Sequence, residues 1–176
     1  METVTELEVK SCKLEGVKII KPSTHFEDFR GQYIETYNKK MFHEAGIETE
    51  FVQDNFSLSS QYVLRGIHGD HHTWKLVSCI YGKFYLVVVN YDPSSFQYKK
   101  WESFTLSDTN RLHVLIPPLF GNAHLVLSKE AVFHYKQSSY YDRSSQFTLL
   151  WDDPELNIWW PISPQMISQR DQGQAN

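Results

Sequence analysis

A histidine and a lysine on either side of a short polar loop have the clearest potential for acid–base chemistry in this chain. His68 ends an alternating apolar run at residues 63–68, and Lys75 begins another at residues 75–80. The alternation places His68 and Arg65 on opposite faces of the first run. If the two runs pair as a hairpin, a titratable base and a fixed cation lie in one cleft. A site that abstracts a proton needs a group that accepts the proton and a positive charge near the negative charge that develops.

Both residues also have an ordinary structural explanation. A histidine beside a polar loop is commonly a solvated loop residue, and a lysine at the start of a strand commonly protects a sheet edge. His68 and Lys75 therefore need support from the rest of the chain before they indicate a function.

The composition and the pattern of apolar runs indicate a β-rich domain. The 176 residues are enough to build a sizeable core. Aromatic residues make up 15% of the chain, which favours sheets because Phe, Tyr and Trp fill their pleated faces. About ten short runs are separated by turn signals, and one short helix is predicted at residues 38–45. The pattern predicts an all-β fold, a cupin-like jelly-roll or double-stranded β-helix barrel that spans residues 1–176 as one domain.

Charge, cysteine content and hydropathy argue against several classes of protein. The net charge is −4 and no basic run is long enough to follow a phosphate backbone, so nucleic acid is not an expected partner. Cys12 and Cys79 are too few for a disulfide framework and suit a reducing compartment. No apolar run is long enough to cross a membrane and no signal-peptide core is found, so we expect a cytoplasmic protein without a membrane partner.

Both ends of the chain are polar. Residues 1–15 form an N-terminal extension that either adds an edge strand or stays disordered. Residues 165–176 have the composition of a frayed tail.

The histidines raise the question of a metal site like that of cupin oxygenases. The first metal motif of that class begins at His68 but meets Lys75 at the place of its glutamate ligand. A protonated lysine repels a divalent metal and offers no lone pair. The histidine of the second motif corresponds to Asn122, although His124 lies nearby. We therefore expect no metal ligands at this site.

Many short motifs of the chain resemble those of the dTDP-4-dehydrorhamnose 3,5-epimerase family. The resemblance extends over roughly residues 16–171 and depends on the order and spacing of the motifs together. The motifs are Phe29-Arg30-Gly31 with Glu35, Phe51-Val52-Gln53-Asp54-Asn55, Leu64-Arg65-Gly66-Ile67-His68, Lys75-Leu76-Val77, Ile116-Pro117-Pro118, Phe133-His134-Tyr135-Lys136, Tyr140-Tyr141, and Trp151-Asp152-Asp153 through Trp160-Pro161.

The resemblance implies catalytic roles for four residues. His68 corresponds to the general base and Asp171 to the carboxylate that orients it. Lys75 corresponds to the group near the keto oxygen, and Tyr135 to the acid that returns a proton from the opposite face. Because Asp171 belongs to the polar C-terminal stretch, the resemblance implies that residues 165–176 return to the active site.

The resemblance also implies a set of substrate contacts and a subunit arrangement. A homodimer is implied, with N-terminal strands that cross between the subunits, and no cofactor. Asn122 takes the place of a family histidine that contacts the substrate, and Tyr141 corresponds to a second family tyrosine. The implied nucleotide and diphosphate contacts are Arg30, Glu35, Gln53, Asn55 and Arg65.

The chemistry of a 4-keto sugar is consistent with these roles. The ketone at C4 acidifies the hydrogens on C3 and C5, and removal of either one gives an enolate with its charge on O4. A cation such as Lys75 beside O4 stabilises that charge by about 3–4 kcal/mol if it resembles one oxyanion-hole donor. Histidine accepts protons near neutral pH. Return of the proton from the other face by Tyr135 inverts the carbon without a metal or an organic cofactor.

Two stretches differ from the family pattern. Gly69-Asp70-His71-His72 follows His68 where the family has an aromatic residue and a glutamine, and residues 118–124 replace its Pro-x-Gly-Phe-Ala-His-Gly. Both stretches resemble the branch that acts on GDP-linked 4-keto-6-deoxy-heptose in bacterial capsule biosynthesis. The resemblance therefore favours a guanine nucleotide over a thymidine nucleotide.

Two other functions remain open. A sugar-nucleotide 3,4-ketoisomerase on a similar barrel would also use a histidine, but it would not need Tyr135 opposite the base. A non-catalytic cupin that binds a sugar nucleotide would keep its affinity after loss of His68 and would exchange no substrate hydrogen. The sequence does not decide whether C3, C5 or both are inverted, because one ketone activates both carbons.

Overall fold

Alternating apolar runs along the chain form strands, as their periodicity predicts. The computed structural model describes residues 7–22 and 25–174. Within these ranges it contains fourteen strands, one α-helix and two short 3-10 helices. The strands are β1 (Glu8–Ser11), β2 (Lys18–Lys21), β3 (His25–Asp28), β4 (Gly31–Ile34), β5 (Gln53–Ser60), β6 (Val63–Gly69), β7 (Lys75–Tyr81), β8 (Lys83–Asn90), β9 (Trp101–Ser107), β10 (His113–Ile116), β11 (Phe120–Val126), β12 (Glu130–Gln137), β13 (Phe147–Thr148) and β14 (Met166–Ile167). Helix α1 is Lys39–Glu44, and the 3-10 helices are Arg143–Ser145 and Arg170–Gln172.

Two large sheets carry most of these strands. Sheet I has the order β1-β2-β10-β7-β12-β5, and sheet II has the order β13-β6-β11-β8-β9. All neighbours within these two orders run antiparallel. Strand β14 pairs with β6 in parallel, and β3 with β4 forms a separate two-stranded hairpin. This nearly all-β architecture confirms the predicted jelly-roll class.

The core is centred on β8, which is buried on both faces. Phe84, Leu86 and Val88 are fully buried and pack in the cluster shared with sheet I. The alternate side chains of β8 pack in a second cluster, which residues 149–160 help to cover. Since both faces are apolar, residues 84–91 form a nearly continuous apolar run without alternation.

Helix α1 covers part of the outer face of sheet I. The side chain of Asn38 caps the helix by accepting a hydrogen bond from the N–H of Met41 at 3.3 Å. Phe42 is buried in the same cluster as Leu76 of sheet I. The helix ends before Gly46, whose φ of +79° suits the residue that follows a helix. The helix predicted at residues 38–45 is therefore found, with its first residue acting as the cap.

The hairpin predicted for the two runs around the polar loop is wrong. Strand β6 belongs to sheet II and β7 to sheet I, so the loop between them crosses from one sheet to the other. The alternation of each run is compatible with either connection, because it records which side chains are buried and not which strand is the partner. In the loop, Asp70 accepts hydrogen bonds from the N–H groups of His72 and Thr73 at 2.9 and 2.7 Å.

The C-terminal stretch is ordered, which overturns its interpretation as a frayed tail. Met166 and Ile167 pair with Val63 and Leu64 of β6. The following 3-10 helix buries Asp171, which is 2% exposed. The C-terminal stretch, which is described up to residue 174, therefore packs along the strand that carries His68.

The N-terminal extension adds an edge strand over part of its length. Strand β1 pairs with β2 at the edge of sheet I, while residues 1–6 of the extension lie outside the described residues. In the described part of the chain, we find no helix with the length and apolar character required to span a membrane.

Candidate active site

A cavity of about 820 Å³ lies between the two sheets and is also lined by residues 166–171. Its walls carry acids, bases and amides from strands that are distant in the sequence. Nine of the eleven predicted site residues line it, namely Gln53, Asn55, Arg65, His68, Lys75, Asn122, Tyr135, Tyr141 and Asp171.

The imidazole of His68 is held by a carboxylate from the C-terminal stretch. Its Nε2 lies 2.6 Å from Oδ1 of Asp171, and the ring remains partly exposed in the cavity. When Nε2 carries the proton shared with the carboxylate, Nδ1 keeps the lone pair. Nδ1 is then the atom that can accept a proton from a bound substrate.

The charge of Asp171 is stabilised by the hydrogen bonds it accepts. Burial opposes ionisation, but the bond with His68 and a second bond from the N–H of Gly66 outweigh it and hold the pKa of Asp171 below its usual value. The N–H of Gly66 lies 3.1 Å from Oδ2. An ionised carboxylate in this place fixes the His68 tautomer and stabilises the imidazolium that proton transfer produces.

An irregularity in β6 turns Arg65 and His68 toward the same cavity. His68 pairs with Asn122 and Arg65 with His124, so three steps along β6 match two along β11. Gly66 lies within this bulge with a φ of +113°, and a Cβ there would approach the carbonyl oxygen of Asn122 to 2.5 Å. The prediction that Arg65 and His68 lie on opposite faces is therefore wrong, because strict alternation holds only in a strand without a bulge.

The ammonium group of Lys75 lies beside His68, deep in the cavity. Its Nζ is 3.3 Å from Oδ1 of Asn122 and 3.5 Å from the carbonyl oxygen of His68. Burial lowers the pKa of Lys75, the charge of Asp70 opposes that shift, and the charge of Arg170 adds to it. Both near contacts are uncharged oxygens, so the protonated form of Lys75 can bind an oxyanion.

The phenol of Tyr135 stands on the wall opposite His68. Tyr135 belongs to β12 of sheet I, whereas His68 belongs to β6 of sheet II. Burial, with a smaller effect of Tyr141, raises the pKa of Tyr135. The phenol therefore stays protonated at neutral pH and is able to donate a proton into the cavity.

Amide groups and an arginine form the polar lining near these residues. Gln53 donates to the side chain of Asn55 at 3.0 Å and accepts from the N–H of Tyr141 at 2.8 Å. The Nε of Arg65 donates to the hydroxyl of Ser59 at 2.9 Å, which orients its guanidinium group. Such a lining of planar donors and acceptors suits a nucleotide with its diphosphate.

Arg30 and Glu35 do not line the cavity of their own chain. Arg30 pairs with Asp28 at 2.6 Å, and Glu35 accepts a hydrogen bond from Asn38 at 3.2 Å. Arg30 lies in the turn of the β3–β4 hairpin, next to Phe29, which is 98% exposed. Two of the predicted binding residues thus lie outside this cavity.

The cavity offers acid–base groups without a set of metal ligands. Across residues 7–22 and 25–174, no group of three or more His, Cys, Asp or Glu side chains is placed to hold a metal ion. His68 is paired with Asp171, and the place of a carboxylate ligand holds Lys75.

Several cavity residues were not singled out by the sequence pattern. The sequence alone offers His124 as a possible metal ligand, and Phe133 belongs to β12. The others lie in loops, a 3-10 helix or the C-terminal stretch, where no periodicity points to a site. Besides His124, the residues include Phe133, Arg143, Gln146, Ser168 and Arg170.

Comparisons with known proteins identify the family of this chain. The model of the dTDP-4-dehydrorhamnose 3,5-epimerase family matches residues 11–176. An enzyme of that name from Shigella flexneri is 37% identical over 169 residues, which cover 94% of this chain and 93% of the relative. A dTDP-4-dehydrorhamnose 3-epimerase from Streptomyces niveus is 33% identical over 170 residues, which cover 94% of this chain and 82% of the relative.

A solved structure extends the similarity to the fold. The dTDP-6-deoxy-D-glucose-3,5-epimerase from Legionella pneumophila, in complex with dTDP-4-keto-L-rhamnose, superposes with a TM-score of 0.90 at 35% identity. The match covers 96% of this chain and 92% of that structure. Sequence and fold agree over nearly the whole length, and the chain belongs to the dTDP-4-dehydrorhamnose 3,5-epimerase family of isomerases.

Proposed function

We propose that this protein inverts C3, C5 or both in a nucleotide-linked 4-keto-6-deoxy sugar through an enolate intermediate. The observation that carries the proposal is a base and an acid on opposing walls of one cavity. His68, held by the buried carboxylate of Asp171, stands on sheet II, and the protonated Tyr135 stands on sheet I. A site that inverts a carbon needs this arrangement, because the proton leaves from one face and returns to the other.

In the first step, His68 removes a proton next to the ketone. The C–H bond electrons form the carbon–carbon double bond of the enolate, and the carbonyl electrons move to O4. The proton goes to Nδ1 of His68, since Nε2 is occupied by its bond with Asp171. The carboxylate stabilises the imidazolium that results.

Lys75 is suited to stabilise the enolate oxygen. Its ammonium group lies 3.5 Å from the carbonyl oxygen of His68, so it shares the part of the cavity in which the base acts. Burial strengthens the attraction between this charge and an oxyanion, because little water screens it.

In the second step, the phenol of Tyr135 protonates the carbon from the other face. The enolate electrons form the new C–H bond, and O4 returns to the ketone. The phenolate then recovers a proton from solvent, and the His68 imidazolium releases to solvent the proton that it removed. The raised pKa of Tyr135 keeps the phenol protonated until the enolate accepts the proton. No step requires a group that the chain lacks.

We further propose that the substrate carries GDP and a seven-carbon sugar. The stretch after His68 and the stretch around Asn122 support this choice, since both resemble the branch that acts on GDP-4-keto-6-deoxy-heptose. Asn122 contacts Lys75 in the cavity, so one of the two stretches reaches the proposed reaction centre. The named relatives act on dTDP-linked sugars, which makes dTDP-4-keto-6-deoxy-glucose the second candidate substrate.

The proposal includes a homodimer. On β5, the edge strand of sheet I, Phe56 is 74% and Leu58 55% exposed. In the β3–β4 hairpin, Phe29 and Tyr33 are 98% and 62% exposed. Exposed apolar side chains that form a contiguous patch commonly mark an interface with a partner. If the hairpin reaches across to a second copy, Arg30 and Glu35 complete the partner's cavity.

Hydrogen exchange in heavy water tests the proposal. The wild-type protein is incubated with each of the two candidate substrates, and mass spectrometry counts the deuterium gained by the sugar. We expect one deuterium for a single-centre epimerase and two if C3 and C5 are both inverted. The variant His68→Asn should exchange about 10²–10⁴-fold more slowly.

The result also separates the alternatives. Exchange coupled to movement of the keto group would indicate a 3,4-ketoisomerase. Tight binding without exchange, unchanged in His68→Asn, would indicate a non-catalytic sugar-nucleotide-binding protein. Absence of exchange with both substrates would refute the proposed reaction.

A further inference from the structure

A second histidine, His124, lines the cavity without a role in the proposed reaction. It lies two residues after Asn122 in β11, and its cross-strand neighbour in β6 is Arg65. Residues two apart in a strand point to the same face, so His124 and Asn122 belong to the same wall. His124 is therefore the neighbour, on that wall, of the residue that contacts Lys75.

Aromatic rings fix the orientation of His124. Its ring stacks on Phe133 with a centroid distance of 4.1 Å and an interplanar angle of 9°. The ring of Phe84 packs at 5.3 Å from another direction. Phe133 in turn contacts Tyr135 at 5.3 Å, so the imidazole is held in a rigid aromatic cluster next to the proposed acid.

The imidazole is buried and incompletely hydrogen-bonded. His124 is 3% exposed, and its Nε2 has no hydrogen-bond partner among the described residues. A buried polar atom without a partner destabilises a fold, and a phenylalanine would fill an apolar aromatic cluster without that cost. A polar ring in this place is explained if a ligand completes its hydrogen bonds.

The charge state of His124 suits a role in hydrogen bonding and not a role as a second catalytic base. Burial, together with the nearby charges of Arg65 and His68, lowers the pKa of His124 to about 3. The ring is therefore neutral at neutral pH and does not hold the proton that His68 removes. A neutral imidazole has one nitrogen that donates and one that accepts.

We propose that His124 is a specificity-determining residue that hydrogen-bonds a hydroxyl group of the sugar. A hydroxyl can donate or accept, so it satisfies either tautomer of the ring. When a sugar lacks that hydroxyl, the imidazole stays unpaired in the complex. The site therefore discriminates strongly against such sugars. This inference rests on the proposed function, because it assumes a sugar nucleotide in this cavity.

The test compares the affinity for the whole sugar nucleotide with that for the nucleotide alone. Calorimetric titration of the wild type, His124→Phe and His124→Gln uses GDP and GDP-4-keto-6-deoxy-heptose, with dTDP and dTDP-4-keto-6-deoxy-glucose as the second pair. We expect His124→Phe to weaken the affinity for the sugar nucleotide about tenfold or more. The affinity for the nucleotide alone should stay within about twofold of the wild-type value. His124→Gln, which keeps a donor and an acceptor, should recover part of the loss.

A purely structural role would give a different result. The inference is overturned if His124→Phe weakens both ligands equally, or if it changes neither. Thermal unfolding checks that each variant is folded, and His124→Leu replaces His124→Phe if the larger ring prevents folding.

Exchange measurements separate this inference from the proposed function. If the wild type binds the sugar nucleotide but exchanges no hydrogen, the proposed reaction fails, and the affinity comparison still decides the role of His124. If the wild type binds neither sugar nucleotide, both are overturned.

Discussion

The carboxylate of Asp171 lies 2.6 Å from Nε2 of His68, although the two residues are 103 positions apart in the chain. The contact exists because β14 pairs in parallel with the start of β6 and the following 3-10 helix turns back over the strand. Asp171 also binds the N–H of Gly66, so it fixes the backbone that carries His68 as well as the ring.

Replacement of Asp171 by asparagine should slow proton abstraction strongly. The amide has no charge to stabilise the imidazolium and can hold the ring in the wrong tautomer, so we expect about a 10²–10⁴-fold loss in the rate of deuterium wash-in. The partly exposed Asp92 lies outside the cavity, and Asp92→Asn provides the matched control. A folded Asp171→Asn protein that exchanges at the wild-type rate would show that Asp171 does not orient the base.

Replacement of Tyr135 by phenylalanine should separate exchange from inversion. The variant keeps His68, so substrate hydrogen should still wash out, while inverted product should fall because the opposite face has lost its proton donor. Mass spectrometry measures the washout and NMR measures the inverted sugar. Tyr140, which is 76% exposed, supplies the control Tyr140→Phe. Loss of washout and of inverted product together, in a folded variant, would assign Tyr135 a different role.

Strand periodicity predicts the class of the fold but not its connections. The runs at residues 63–68 and 75–80 are both strands, yet they lie in different sheets. Alternation reports the burial of each side chain, and the choice of partner strand depends on contacts between distant parts of the chain. For the same reason, the bulge at Gly66 that turns Arg65 into the cavity is invisible to a simple alternation rule.

The candidate site was predictable only in part from physical patterns. His68 and Lys75 draw attention by their residue types and spacing, whereas Asp171 lies in a polar stretch that composition alone describes as a tail. Its place beside His68 was expected only from the family resemblance. The packing of His124 between Phe84 and Phe133 joins β11, β8 and β12, and no local pattern contains that information.

A side chain at Gly66 should disrupt the bulge of β6. Gly66→Ala combines an unfavourable φ of +113° with a Cβ placed 2.5 Å from the carbonyl oxygen of Asn122. We expect a loss of about 3 kcal/mol or more in the free energy of unfolding. Gly31 has a similar φ of +116° with open space around it, so Gly31→Ala should cost only about 1 kcal/mol. Equal losses in urea unfolding would show that the clash with β11 is unimportant.

The buried His113 should make the fold sensitive to acid. Burial, together with the charges of His134 and Lys136, lowers the pKa of His113 from 6.5 to about 3. Between these pH values the unfolded chain binds more protons, so the free energy of unfolding falls as the pH drops. The slope is at most about 1.4 kcal/mol per pH unit for this one residue.

Urea unfolding between pH 7 and pH 4 measures this contribution. His113→Leu should show a smaller slope than the wild type, since it removes a group whose pKa differs between the two states. The exposed His71 provides the control His71→Asn, which should keep the wild-type slope. An unchanged slope in His113→Leu would assign the acid sensitivity to other groups.

A charge on the edge strand β5 should separate the proposed dimer. Phe56 of this strand is 74% exposed, and Phe56→Asp would bury a carboxylate without a partner if a second copy covers the strand. Sedimentation or light scattering should then report a monomer for the variant and a dimer for the wild type. Phe96, which is 83% exposed in the loop between β8 and β9, supplies the control Phe96→Asp. A monomeric wild type would refute the dimer, and a dimeric Phe56→Asp would place the interface elsewhere.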